Sequence, residues 1–430
     1  MATIIDQYDL NRYEVVKVSS LIDQPLNVVL DAGRGTKATS QDAFGRLRTA
    51  NPLTLFDSNH RFRDNGLWET NTATGGTATF NANHGCVDLE VTTTSGSLVY
   101  RETRRVFAYQ PGKSLLSMNT FVFAPAKTNL RQRCGYFGAA NGYYLQLSGT
   151  TLSLVERTSV SGSLVETAIN QAFWNIDKLD GTGPSGYTLD ITKSQILWTD
   201  LEWLGVGTVR MGFVIEGKFI LCHQFHHGNV VASPYITTAC LPIRYELENL
   251  GTTASASTMK QICSTMISEG GYEVRGSQQS IGTPITAPTA LATAGTFYPL
   301  VSLRLNGSYL DAIALMTSMS ILPLGNKNYN WQVKKNGTTT GGTWVTPTNS
   351  SVSYNITGTS FAGGTIVANG LLSSTNQSSS AVNQLDGSIF KFQLERNSFT
   401  STPYEITLIA TADGAGGSIA ASVDWEEITR

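Results

Sequence analysis

Charge is scarce in this chain. Only 14% of its 430 residues are Asp, Glu, Lys or Arg, against about 25% in ordinary globular domains. The 30 basic and 32 acidic residues leave a formal net charge of -2. A basic stripe of the kind that gathers phosphates is therefore not expected, and nucleic acid is set aside as a partner. Cysteine is also sparse: Cys86, Cys134, Cys222, Cys240 and Cys263 make an odd number with no C-x-x-C pair. That excludes a zinc ribbon, a redox motif and a disulfide scaffold. The five read as reduced, small apolar core residues. No run of about 18 apolar residues occurs. The nearest, Tyr309 to Leu324, is broken by Asp311, Thr317, Ser318, Ser320 and Pro323, so membrane insertion is not expected. The stretch from Met1 to Val15 carries Asp6, Asp9 and Glu14 and no apolar h-region, which predicts no signal peptide.

What is abundant is Gly, at 41 residues, together with Ser and Thr. Such a composition, poor in Lys and Glu, suits strands and turns and excludes a helical bundle or coiled coil. The length allows two or three domains, and three zones separate. Residues 1–50 hold two short strand-like stretches and a flexible polar segment, too little for a core, and read as a docking arm. Residues 51–275 read as successive strands with turn signals. The clearest are the alternating run from Gln195, with Leu197, Leu201 and Trp203 on one face and Trp198, Asp200 and Glu202 on the other, and the period-2 runs flanking Glu216-Gly217. The second pattern predicts a hairpin. Residues 276–430 carry further strand candidates, with turns at Asn336-Gly337, Asp386-Gly387 and Asp413-Gly414. Residues 277–288, with two prolines, read as the linker, and Tyr309 to Leu324 as the only plausible helix or buried run. The expected fold class is all-β: tandem antiparallel sandwiches, the middle one lectin-like (concanavalin-type), with an extended N-terminal arm.

Several constellations invite a chemical reading. Asp200 and Glu202 lie two apart on a strand, about 6.6 Å along it, as acid and nucleophile do in some glycoside hydrolases, where the carboxyls stand about 5–5.5 Å apart. Trp198 on the same face would serve as a sugar platform, and Trp203, Tyr143 and Tyr144 could add stacking surfaces if exposed. The competing reading makes Arg210 the cross-strand partner of these carboxylates; if it covers them, the hydrolase reading fails. His223, His226 and His227 crowd beside Cys222, but on a strand only His223 and His227 share a face, so no metal is expected. The segment from Asp180 to Gly186 is Gly-rich but lacks the G-K-[ST] of a phosphate loop and reads as a surface loop. Arg101, Arg104 and Arg105 read as salt-bridge or subunit-interface residues. No cofactor and no catalytic residue is assigned.

The run from Ser40 to Thr49 (SQDAFGRLRT), followed by Asn51-Pro52 and Leu55-Phe56-Asp57-Ser58, resembles virion structural proteins of tailed bacteriophages, especially phages of marine bacteria. So do the stretches from Tyr109 to Ser114, Asp177 to Gly186, Glu202 to Gly217 and Ile262 to Gly271. The likeness spans about Ser40 to Gly271 and carries no catalytic signature. It implies a particle component: a tail, baseplate or fiber-associated protein, with a head-decoration or head-fiber protein as the alternative. Its partners would be other virion proteins and copies of itself, a trimer if fiber-like. Phe44, Arg46, Arg48 and Phe56 are then candidates for the docking arm. A second class of function is a host-glycan-binding adhesin, with Trp198, Asp200, Glu202 and Arg210 as its candidate site. A third is a polysaccharide-degrading enzyme using the same carboxylates.

Overall fold

The computed structural model describes residues 51–273, 275–374, 381–384 and 392–428. The arm at residues 1–50, with Phe44, Arg46 and Arg48, lies outside the described residues, as do the Asp386-Gly387 turn and part of the strand expected near Ile389. Within the described residues the chain is all-β, in two antiparallel sandwiches. No helix there is long and apolar enough to cross a membrane.

The first sandwich has a sheet of eight strands. Lys218–Phe225, Val209–Ile215, Gln195–Leu201, Leu115–Val122, Ser257–Ser268, Cys86–Val91 and Thr77–Asn81 follow in order, and Leu53–Asn59 joins Ser257–Ser268. Facing it is a seven-stranded sheet, ordered Val165–Asn170, Thr151–Thr158, Gly142–Ser148, Leu130–Phe137, Ile243–Asn249, Leu98–Thr103 and Trp68–Ala73. Alternation sends Leu197, Met211 and Phe213 inward from one sheet and Cys134, Tyr136, Leu145, Ile243, Tyr245 and Leu247 inward from the other, and these share one core. The hairpin forms as the sequence predicts: Glu216 at φ 51° and Gly217 at φ 74° join its strands, the left-handed pair whose twist suits adjacent strands.

The second sandwich pairs Val352–Asn355, Tyr298–Leu305, Glu405–Ala412, Asn328–Thr340 and Ser360–Ser373 in one sheet. Ser277–Gly282, Gly417–Glu427, Ala314–Leu324 and Ala381–Gln384 form the other, with Thr289–Leu291 added to Gly417–Glu427. It has its own core around Leu303, Met316, Trp331, Leu408 and Trp425.

Three expectations need correction. The Tyr309 to Leu324 run contains a strand and no helix: Ala314, Met316, Met319 and Ile321 point into the core, and a bulge near Met316 keeps them there. The linker begins as a strand, because Ser277–Gly282 pairs with Gly417–Glu427. Asn336-Gly337 is not a turn but a bulge within Asn328–Thr340. The register shifts there, Asn336 takes φ 60°, and a Cβ on Gly337 would meet Phe361 Cζ at 2.1 Å.

Candidate functional site

The four residues singled out for glycan contact lie together but out of reach. Trp198 is 1% exposed, Asp200 and Glu202 are 0%, and Arg210 is 4%. Trp198 packs with Leu116, Met118, Val214, Phe219, Leu221 and Ile267 on the outer side of the eight-stranded sheet. The bulge near Gly212 makes room for it, since a Cβ there would stand 2.9 Å from the indole. Its ring N–H donates to the Phe213 carbonyl at 3.3 Å. Asp200 stands opposite Arg210 in the register; the guanidinium Nε donates to it at 3.0 Å and Ser114 Oγ donates to its other oxygen. Arg210 is thus the cross-strand partner of Asp200, and that carboxylate, sealed under an arginine, cannot reach a glycosidic oxygen; Glu202 is enclosed as well. Tyr143 and Tyr144 are likewise buried. Phe56, offered as an arm residue, sits in the core against Trp68 and Phe107.

The other motifs resolve structurally. His223 accepts the Asn175 amide N–H at 3.2 Å, and burial lowers it to about 4. The strand ends at Phe225, so His226 and His227 are not part of its alternation. His227 is clamped between the Gly207 carbonyl at 2.7 Å and Glu156 at 2.6 Å and stacks on Tyr235. Among the described residues no group of three or more His, Cys, Asp or Glu is placed to hold a metal. In the Gly-rich loop, Asp177 accepts the amides of Leu179 and Ser185. Four cysteines are buried, but Cys263 is exposed, which corrects the all-core reading.

Sequence reasoning missed the richest polar surface, the outer face of the seven-stranded sheet. Alternation there brings up Arg244, Glu246 and Glu248 from one strand, Arg131 and Arg133 from the next, then Tyr144, Arg157 and Glu166. Arg133 pairs with Glu166 at 3.1 Å and Glu246 at 3.3 Å; Arg244 pairs with Glu246 at 2.7 Å and Glu102 at 3.0 Å. Arg157 pairs with Glu166 at 2.6 Å, and Arg131 with Glu248. The guanidiniums lie on rings: Arg133 and Arg157 over Tyr144 at 5.1 and 5.0 Å, Arg244 over Tyr100 at 5.3 Å. The signal was legible as the alternation in Arg244-Tyr-Glu-Leu-Glu248.

This charged layer runs on into the second sandwich. Arg396 donates to Glu102 at 2.8 Å, to the Thr103 carbonyl at 2.8 Å and to Asp311 at 3.0 Å. Glu395 accepts Arg105 at 2.8 Å and Lys335 at 2.5 Å. Glu69 binds Arg104 at 2.5 Å, Asn397 at 3.1 Å and Tyr404 at 2.8 Å. Burial alone would raise Glu395, but Lys335 and Arg105 outweigh it and hold the carboxyl at about 2. Burial, with Arg105 nearby, brings Lys335 down to about 8. Arg104 and Arg105 are thus salt-bridged interface residues, here between the two sandwiches of one chain.

The second sandwich also holds an open recess of about 770 Å³, lined by Asn328, Asn330, Leu371, Thr411 and Asp413, with Ala294 and Gly295 at its lip. These residues come from four separate stretches of the chain, and the strand register gathers those around Asn330, Leu371 and Thr411.

No family model and no curated protein matches the chain. Solved structures do resemble it. The carbohydrate recognition domain of Emp47p is 12% identical, with 50% of this chain and 96% of that one covered, at a TM-score of 0.32. The Bacteroides ovatus mixed linkage glucan PUL GH16, in complex with product, is 8% identical over 49% and 99%, at 0.34. A protein of unknown function from Shewanella oneidensis MR-1 is 9% identical over 54% and 92%, at 0.34.

Proposed function

We propose that this chain is a non-catalytic attachment protein: a lectin-like tandem of β-sandwiches, held as one rigid unit, that fastens onto carbohydrate at a cell surface. The observation that carries it is the state of the outer sheet face. Glu69, Glu102, Glu166, Glu246 and Glu248 each have an arginine partner, and the layer continues without a gap into the second sandwich. A general acid needs a carboxyl held neutral, and a nucleophile needs open approach. Burial lifts Glu248 to about 7, but that carboxyl is enclosed and paired with Arg131, so open approach is lacking on this face, whereas a recess stands open on the second sandwich. The test is the full chain on a polysaccharide array, followed by a reducing-end assay. Binding with no release of reducing ends is expected; release of reducing ends removes the non-catalytic reading.

A second reading concerns where such a unit works. The resemblance over Ser40 to Gly271 supports a component of a bacteriophage particle, docked through residues 1–50 and present as several copies, among which weak single-site binding gains by avidity. The buried ionic join favours it, since a part of a particle must keep its shape under load. Mass spectrometry of washed particles should find the chain; its absence from every washed particle would end this reading.

A further inference from the structure

The recess on the second sandwich is built in two rows by the register of three strands. In the first row Leu371, Asn330 and Thr411 stand side by side, because Asn330 is opposite both of the others. In the second row Ser373 and Asn328 are opposite one another, and Asp413 follows the third strand. The alternate residues Tyr329 and Ala412 point down into the core.

The two rows differ in their hydrogen bonding. The second is tied within itself: Ser373 Oγ donates to Asn328 Oδ1 at 2.8 Å, and Asn328 Nδ2 donates to Asp413 Oδ2 at 2.7 Å. In the first row, Thr411 is 9% exposed and its Oγ1 has no hydrogen-bond partner; Asn330 is half-buried, but its Oδ1 is enclosed and likewise unpartnered. A buried polar atom left without a partner costs about 1–3 kcal/mol. Two such atoms, adjacent and on the floor of one recess, are satisfied together by a ligand that brings hydroxyls. Rotation of the Thr411 hydroxyl and a half-turn of the Asn330 amide let each offer a donor or an acceptor. Beside them Leu371, 78% exposed, offers an aliphatic flank with nothing over it.

We propose that this recess binds a ring of a neutral saccharide, a site that rests on the attachment reading above. The ring's hydroxyls pair with Asn330 and Thr411, and its C–H face lies on Leu371. The volume falls within the range of about 300–1,000 Å³ usual for small-molecule sites. No Lys, Arg or His lines it, and Asp413 stands at its rim. Among the lining residues an acidic sugar would meet the Asp413 carboxylate and no cation, and Lys327, whose Nζ comes 2.7 Å from the place of a Cβ on Gly414, sits outside the lining, so neutral rings are preferred over uronates and sialic acids.

The experiment uses the full chain, with saturation-transfer NMR and calorimetry against glucose-, galactose- and mannose-terminated trisaccharides and against sialyl and hexuronate counterparts. At least one neutral probe binds and the acidic ones do not. Thr411→Val and Asn330→Leu each weaken the neutral probe at least tenfold, with the melting temperature unchanged. Leu371→Ser, at an exposed position where folding is not at stake, weakens it several-fold and decides the matter should either of the other variants fail to fold. Asp413→Asn admits the acidic probes. Undiminished neutral binding in these variants overturns this site and leaves the attachment reading standing. No binding of any saccharide by the parent chain overturns both.

Discussion

The Arg396 guanidinium lies 2.8 Å from the Glu102 carboxylate, 294 residues earlier in the chain. One belongs to each sandwich, and both are buried, at 2% and 1% exposure. Glu102 also holds Arg244, and Arg396 also holds Asp311 and a backbone carbonyl. The cost of taking these charges out of water is offset by multiple geometrically satisfied partners. Ile313 and Leu315 add apolar packing from the second sandwich into the first core.

Arg396→Ala should destabilise the chain by about 3–5 kcal/mol, because it strands Glu102 in a buried site. Calorimetry should show the single transition of the parent split into two, as the sandwiches melt separately. A variant that keeps one transition at the parent temperature would contradict the join.

Acid should weaken the same join. Glu395 is held at about 2 in the folded chain, below its ordinary 4.5. The stability it contributes is complete above pH 4.5 and is lost as pH falls through about 2; its size is about 3 kcal/mol. Lys335 has the opposite sense. Its folded value of about 8 lies below the ordinary 10.5, so on its account stability rises as pH climbs from 8 to 10.5. Denaturant midpoints measured from pH 5 down to pH 2 should fall in the parent and flatten in Glu395→Gln.

Trp198→Ala should cost about 3–5 kcal/mol of stability through the void it leaves, and should not change saccharide affinity in material that remains folded. Asp200→Ala should cost about as much, by stranding Arg210 in a buried site. A loss of affinity at unchanged melting temperature in either variant would return the site to the first sandwich.

Cys263 should be the one thiol of the five that reacts with a disulfide reagent in the native chain. Partial burial lifts it above its ordinary range, so the reaction should quicken at alkaline pH. Denaturant should expose all five. A second fast thiol without denaturant would show that Cys86, Cys134, Cys222 or Cys240 is less enclosed than the packing indicates.

Much of the architecture was legible because strands write themselves at period 2. The Glu216-Gly217 hairpin and the faces of Leu197 and Trp198 follow from alternation alone. Tyr309 to Leu324 deceived because a strand buried on one face, with a bulge and a proline, reads as an unpatterned apolar run. Asn336-Gly337 deceived because the same left-handed backbone serves a turn and a bulge. The face that Trp198 and Asp200 share was readable, but its burial was not: whether an outward side chain meets water depends on long neighbours packing over it. The recess was beyond reach because Asn330, Leu371 and Thr411 become neighbours only through register.

The join consists of side chains and strand pairing, and the connecting peptide contributes little to it. Ser277–Gly282 is held along its length by Gly417–Glu427, and Arg105, Glu395 and Arg396 grip from elsewhere. A single proteolytic nick between residues 283 and 288 should therefore leave both fragments co-migrating on a sizing column, and the two halves expressed as separate polypeptides should find one another.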